Sequence, residues 1–218
     1  MRLKFTKLKT AKKRTSSSAK WLQRQLNDEF VEKAKFEGYR SRAAYKLIEI
    51  DEKFNLIKEG LNIIDLGAAP GGWSQVISRK TNGTSKIIAL DLLEMGYIEH
   101  VDFIQGDFCD SKIHDELLSR SVAKSDLILS DMAPNTTGHK TTDHLRIINL
   151  CEYTLEFALK SLNQNGSLVL KIFQGGAHGD FFAKIKKNFT RVKHFKPKAS
   201  ARSAAEMYLI AQGFRSEA

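Results

Sequence analysis

Four aspartates recur at the same kind of place along the chain. Asp65, Asp91 and Asp131 close or follow short apolar runs, in L-N-I-I-D, K-I-I-A-L-D and L-I-L-S-D, and Asp107 follows another in D-F-I-Q-G-D. A single loop aspartate is usually a solvated side chain. Four at successive strand ends line one edge of a sheet, where α/β proteins bind nucleotides at the carboxyl ends of their strands. Asp91 could accept hydrogen bonds from ribose hydroxyls, and Asp107, with Phe108 beside it, could take a donor from an adenine amine. Between Asp65 and Asp91 lies the turn G-A-A-P-G-G, Gly67 to Gly72, leading into Trp73-Ser74-Gln75. With so little side-chain bulk, its backbone N–H groups can approach a ligand closely. The spacing is not G-x-G-x-x-G, and Pro70 removes a donor, which argues against a dinucleotide. Trp73 stands where a phosphate loop would carry lysine. A nucleoside without a pyrophosphate remains, and S-adenosylmethionine is the common one. A glycine turn used only for tight packing is the plainer alternative, and the later aspartates weigh against it.

Lys171 is the second chemical feature. It sits in S-L-V-L-K-I-F-Q-G, an otherwise apolar strand, so it must be paired, deprotonated or at the strand's open end. Lys46, on a mixed helix, and Glu206, opening A-E-M-Y-L-I-A, read as ordinary surface residues on local pattern alone.

The elements that must position these groups can be read from periodicity. Apolar residues at helical spacing predict a helix from Ala19 to Phe36, stopped by Gly38. A second is predicted from a Ser41 cap to near Asn55. Strands are expected at Leu61–Leu66, Lys86–Asp91, Val101–Gln105, Asp126–Ser130, Ser167–Phe173, Arg191–Phe195 and Met207–Gln212. Helices fit between them at Gly72–Lys80, Ile113–Ser121, Thr142–Asn163 and Ala177–Asn188. Such alternation means a mostly parallel sheet covered on both faces. The link to the final strand holds no helix, so that strand is expected to run antiparallel. The organisation is a basic flexible arm over residues 1–18 and a catalytic domain over 19–218, with N-terminal helices over 19–55 and the sheet core over 61–213.

Charge is distributed unevenly. Residues 1–46 hold 14 Lys or Arg against four acids, whereas residues 47–218 hold 21 against 21. A second basic stretch runs from Lys184 to Arg202, with no acid between Asp180 and Glu206. A neutral domain with two basic patches suggests a nucleic-acid partner, against the alternative of a solubilising tail. Two cysteines, Cys109 and Cys151, are too few for a disulfide framework, and no apolar run is long enough to span a bilayer. A cytoplasmic location is expected. A mitochondrial one is the alternative, because no acid precedes Asp28. The six histidines show no metal-ligand spacing, so no metal is expected. A monomer is the default expectation.

Six motifs in order, R-S-R-A-A-Y-K-L, D-L-G-A-A-P-G-G-W-S-Q, D-F-I-Q-G-D-F, S-D-M-A-P-N, L-V-L-K-I-F-Q-G and S-A-R-S-A-A-E-M-Y, together resemble the FtsJ/RrmJ family of ribosomal RNA 2′-O-ribose methyltransferases. The resemblance covers nearly all the chain from about Ser16. It implies a Rossmann-like fold with a seven-stranded sheet whose last strand is antiparallel, and S-adenosylmethionine as methyl donor. It implies a Lys–Asp–Lys–Glu tetrad on Lys46, Asp131, Lys171 and Glu206, with Lys171 as proton acceptor. It also implies cofactor contacts from Gly67, Gly71, Gly72, Trp73, Asp91, Asp107 and Asp131, with Trp73 as a wall of the pocket. The substrate it implies is a uridine ribose of large-subunit ribosomal RNA within an assembled or assembling subunit. The lysine-rich extension before Ser16 is longer than the resemblance leads one to expect.

That chemistry makes sense of the residues, since a ribose 2′-hydroxyl is a poor nucleophile and needs a base or a charge-stabilising group. An N-methyltransferase is disfavoured because D-M-A-P-N lacks the first proline and the aromatic that would stack on a base. Cysteine-based C5 methylation is disfavoured because neither cysteine has a suitable setting. A transfer-RNA ribose methyltransferase and a non-catalytic assembly factor of the same fold are the remaining alternatives. RNA contacts are expected from Lys4 to Arg24, from Arg40 and Arg42, and from Lys184 to Arg202.

Overall fold

The computed structural model of the chain describes residues 27–121, 123–134, 138–174, 179–201 and 205–215. The expected basic arm and the first part of the predicted helix from Ala19 lie outside these residues. The elements run in the order α1 (Glu29–Phe36), α2 (Ala43–Phe54), β1 (Asn62–Leu66), α3 (Gly72–Lys80), β2 (Lys86–Asp91), β3 (Val101–Gln105), α4 (Ser111–Arg120), β4 (Ser125–Ser130), α5 (Lys140–Ser161), β5 (Leu162–Phe173), α6 (Gly179–Asn188), β6 (Phe189–Phe195) and β7 (Glu206–Phe214).

The two N-terminal helices start differently from their predicted starts. The Asp28 carboxylate accepts from the Phe30 N–H at 3.0 Å and opens α1 at Glu29, so no helix continues unbroken from Ala19 to Phe36. Arg42, not Ser41, occupies the cap position of α2. The Ser41 hydroxyl is instead buried against the turn before α3, where a Cβ added to Gly72 would lie 2.4 Å from its Oγ. The end of α2 does fall at Asn55, which adopts the left-handed conformation with φ 53°.

Seven strands form one sheet in the order β3-β2-β1-β4-β5-β7-β6, with β7 antiparallel to both neighbours. Both faces are buried, as continuous apolar strands require. Ile63 and Ile64, adjacent on β1, belong to opposite cores. One core packs α4, α5 and α6 against Leu66, Leu90, Ile128 and Leu170; the other packs α2 and α3 against Ile87, Leu129, Val169 and Ile210. Among the described residues no helix is long and apolar enough to cross a membrane.

The direction of β7 matters for the site. Because it runs against β5, its first residue lies at the edge where the parallel strands end. The register pairs Lys171 with Tyr208 and Phe173 with Glu206. Directly paired residues share a face, and residues two apart on a strand do too. Lys171, Tyr208 and Glu206 therefore project together from the face that α2 covers.

Candidate active site

A cavity of about 600 Å³ opens at the carboxyl ends of the parallel strands, a volume in the ordinary range for small-molecule sites. Gly67, Asp91, Asp107, Phe108, Asp131 and Lys171 line it. Gly67 has φ +77°, and a Cβ there would come within 2.8 Å of the Met132 backbone nitrogen. Only glycine lets the turn pass the strand-β4 loop this closely. Asp91 ends β2 and ties the turn down, accepting from the Ala69 N–H and the Leu93 N–H at 2.9 Å each. Asp107 accepts from the Cys109 N–H at 2.9 Å. Each carboxylate keeps further lone pairs for a ligand.

Three residues expected at the cofactor do not border the cavity. Trp73 is buried, its indole Nε1 donating to the Ala43 carbonyl at 2.9 Å and its ring 5.7 Å from that of Tyr208. It belongs to the core beneath α2 and does not wall the cavity. The helical register of α3 turns it there, since Val76 and Ile77 share that face. Gly71 and Gly72 likewise do not line the cavity and serve close packing. A Cβ on Gly71 would lie 2.5 Å from Ile98 Cδ1. What this stretch can still offer a ligand is backbone, because the first-turn N–H groups of a helix have no partner within it. Asp65, expected on the cavity edge, is wholly buried in β1 behind the turn.

At one end of the cavity four charged side chains from four elements converge. Lys46 comes from α2, Asp131 follows β4, Lys171 lies on β5 and Glu206 opens β7. Lys46 Nζ stands 2.8 Å from Glu206 Oε1 and 4.0 Å from Asp131 Oδ2. Lys171 Nζ stands 3.1 Å from Asp131 Oδ1 and 3.7 Å from Glu206 Oε2, and donates to the Asp131 carbonyl at 3.0 Å. Each carboxylate is thus shared between both lysines, which is how burial of four charges is tolerated. Burial alone would raise the Glu206 carboxyl. The Lys46 and Lys171 charges, with hydrogen bonds from Lys46 and Ser200, outweigh it and hold the group below its ordinary value.

Two supporting residues were not singled out from the sequence. The fully buried Tyr208 hydroxyl donates to Asp131 Oδ1 at 2.6 Å, and the buried Ser200 hydroxyl donates to Glu206 Oε1 at 2.7 Å. Burial drives the Tyr208 phenol well above its ordinary pKa, and the Asp131 and Glu206 charges push it further. It is therefore a fixed donor. Its spacing of two from Glu206 on a strand was the available signal. Ser200 gave none, because the fold brings it to Glu206 through a turn pinned by Glu49, whose carboxylate accepts from the Lys198 and Ala199 N–H groups at 2.6 and 2.9 Å.

The two arginines expected on RNA are engaged within the protein. Arg42 pairs with Asp28 and donates to the Ala199 carbonyl. Arg40 donates to three carbonyls, of Pro70, Gly96 and Tyr97. Of the late basic stretch, Arg191, Lys193 and Lys198 are exposed, on or beside the edge strand β6.

Residues 39–214 match the family model of FtsJ-like methyltransferases. The chain is 52% identical to the ribosomal RNA large subunit methyltransferase E of Azorhizobium caulinodans over 215 residues, covering 97% of this chain and 90% of that one. The protein of the same name from Rickettsia bellii is 51% identical, over 96% of this chain and 95% of its own. Among solved structures, a ribosomal RNA methyltransferase from Plasmodium falciparum superposes with a TM-score of 0.74 at 34% identity, covering 82% of this chain and all of that one. The chain belongs to the FtsJ-like methyltransferases, enzymes whose methyl donor is S-adenosylmethionine.

Proposed function

We propose that the protein methylates the 2′-hydroxyl of a uridine ribose in large-subunit ribosomal RNA, with the large ribosomal subunit as the partner and the cytoplasm as the place of reaction. The observation that carries this reading is the convergence of Lys46, Asp131, Lys171 and Glu206 at the end of the cavity that Asp131 and Lys171 themselves line. The relatives named for large-subunit ribosomal RNA support the substrate.

The residues present fit the donor. Asp91 suits ribose hydroxyls and Asp107 suits an adenine amine, while Gly67, at φ +77° and too close to Met132 to carry a Cβ, holds the turn at the cavity wall. Asp65, Asp91 and Asp131 lie close enough for the charges of the last two to raise the first, a group of carboxylates that favours a cationic ligand. S-adenosylmethionine, when bound, supplies an electrophilic methyl on a positively charged sulfur. In its neutral, deprotonated form the Lys171 amine takes the proton of the 2′-hydroxyl as that oxygen accepts the methyl. Lys46 steadies the developing negative charge on the oxygen. Asp131 orients the Lys171 amine, itself held by Tyr208, and Glu206 holds Lys46. In-line positioning contributes alongside proton transfer.

Transfer of tritium from labelled S-adenosylmethionine to large subunits and to transfer RNA, followed by nucleoside mapping, tests the substrate. Label in 2′-O-methyluridine of the subunit is expected; label confined to transfer RNA overturns it. For the mechanism, Lys171→Ala should lower single-turnover methylation by roughly 10²–10⁴-fold with cofactor binding intact. Near wild-type turnover in that variant would remove Lys171 as the base.

A further inference from the structure

Arg40 lies between α1 and α2, and its side chain joins segments far apart in sequence. Nη1 donates to the carbonyls of Pro70 at 3.3 Å and Gly96 at 2.7 Å, and Nη2 to that of Tyr97 at 2.6 Å. The Arg40 N–H donates to Gln75 Oε1 at 2.8 Å, and Gln75 Nε2 returns a bond to the Gly38 carbonyl at 3.2 Å. Three segments thereby meet at one residue: the Gly67–Gly72 turn, the loop from β2 to β3, and the linker into α2. The fit is close, since a Cβ on Gly71 would lie 3.1 Å from Arg40 Nη1. Arg79 adds a second tie to the same linker, donating to the Glu37 and Gly38 carbonyls at 3.1 Å each and lying 4.4 Å from the centre of the Tyr39 ring.

Each joined segment carries part of the site. The turn supplies Gly67 and Ala69 to the cavity wall, the loop supplies Leu92 and Leu93, and the linker leads into α2 with Lys46. A planar guanidinium can serve carbonyls that diverge in direction, whereas an ammonium on a flexible stem is a point charge. We propose that Arg40 is a positioning residue that braces the donor-binding turn against the β2–β3 loop and fixes α2, and so Lys46, relative to the methyl donor. This rests on reading the cavity as the S-adenosylmethionine site.

The test compares full-length wild type, Arg40→Lys and Arg40→Ala. S-adenosylmethionine affinity is measured by calorimetry without RNA, alongside affinity for large-subunit ribosomal RNA, melting temperature and the split between KM and kcat. The brace is expected to weaken donor binding about tenfold in Arg40→Ala and about fivefold in Arg40→Lys, three charge-assisted bonds being lost or degraded on an exposed side chain. The melting temperature stays near wild type, the KM for the donor rises more than kcat falls, and Arg40→Lys keeps its RNA affinity. A phosphate contact gives the opposite pattern. Arg40→Lys is then near wild type throughout, and Arg40→Ala loses RNA affinity but not donor affinity, which overturns the brace. Should Arg40→Ala fail to fold, Arg40→Lys decides the matter, because charge is kept and only the fork is lost. Wild-type protein that bound no donor would overturn the cavity reading itself, a result distinct from equal binding by wild type and Arg40→Lys.

Discussion

Asp65 sets a measurable pH dependence of stability. It is fully buried; the Ser74 hydroxyl donates to Oδ2 at 2.6 Å, and Oδ1 has no hydrogen-bond partner. Burial raises its pKa, the Ser74 bond opposes this, and the Asp131 and Asp91 charges add to it, moving the group from 3.8 to about 7. The folded protein therefore holds this proton more tightly than the unfolded chain does. The associated stability is complete below pH 3.8, falls as pH rises and is gone above about 7. The loss accumulates at about 1.4 kcal/mol per pH unit, roughly 4 kcal/mol in all. Asp65→Asn keeps the shape and an acceptor for Ser74 but cannot ionise. In urea unfolding from pH 5 to pH 8, wild type should lose roughly 2.5 kcal/mol relative to the variant, since part of the cost is already incurred at pH 5. Every other titrating group is common to both proteins, so the difference isolates Asp65. A constant offset from the buried amide would shift one curve without changing its slope. Parallel curves would refute the reasoning. A cationic donor beside these carboxylates should also stabilise wild type more than the variant above pH 7.

Gly67→Ala should lower stability by about 1–2 kcal/mol and abolish donor binding, because φ is +77° and the new Cβ meets the Met132 backbone at 2.8 Å; calorimetry with S-adenosylmethionine and a thermal melt check both. Tyr208→Phe removes the 2.6 Å donor to Asp131 and should lower kcat about tenfold or more while leaving the KM for the donor little changed. An unaltered kcat would count against the positioning of Asp131 by Tyr208. RNA affinity should fall steeply between low and high salt through the basic N-terminal stretch and the exposed lysines near β6, and a flat profile in a filter-binding assay would contradict that route.

The placement of the proposed donor-side residues was legible because it obeys local rules. Asp91 and Asp107 follow their strands at the residues periodicity indicates, and β2, β3 and α3 begin and end where the pattern places them. The glycine turn was legible in its bareness but not in its division of labour. Gly67 borders the cavity while Gly71 and Gly72 pack against Ile98 and Ser41, and no spacing rule separates those uses. Trp73 misled for a related reason: a large aromatic beside a ligand turn invites a pocket wall, yet its direction is set by which face of α3 meets α2. Lys46 and Glu206 were unremarkable in local pattern and stood out only through the resemblance. Arg40 and Arg42 looked like phosphate contacts because composition gives charge without partners. The backbone carbonyls that engage them lie about 30 to 157 residues away in sequence.

The antiparallel seventh strand explains why local pattern could not reveal the acceptor chemistry. In a wholly parallel sheet a strand's first residue lies at the edge opposite the nucleotide site, so a carboxylate opening a strand would be remote from it. Reversing β7 brings Glu206 to the same edge as Asp131. Its pairing with β5 then places Tyr208 beside Lys171 on the face that α2 covers with Lys46. One change of strand direction thus joins two lysines, two carboxylates and a tyrosine that are separated by up to 162 residues. The donor site needs only the ends of β1 to β4, and many α/β folds provide those. The acceptor site needs β7 reversed and α2 fixed over it, and the position of α2 depends on the linker that Arg40 ties to the donor turn and the β2–β3 loop and that Arg79 ties to α3. Donor and acceptor geometry are therefore coupled through the backbone, and a variant that loosens that linker should disturb both together.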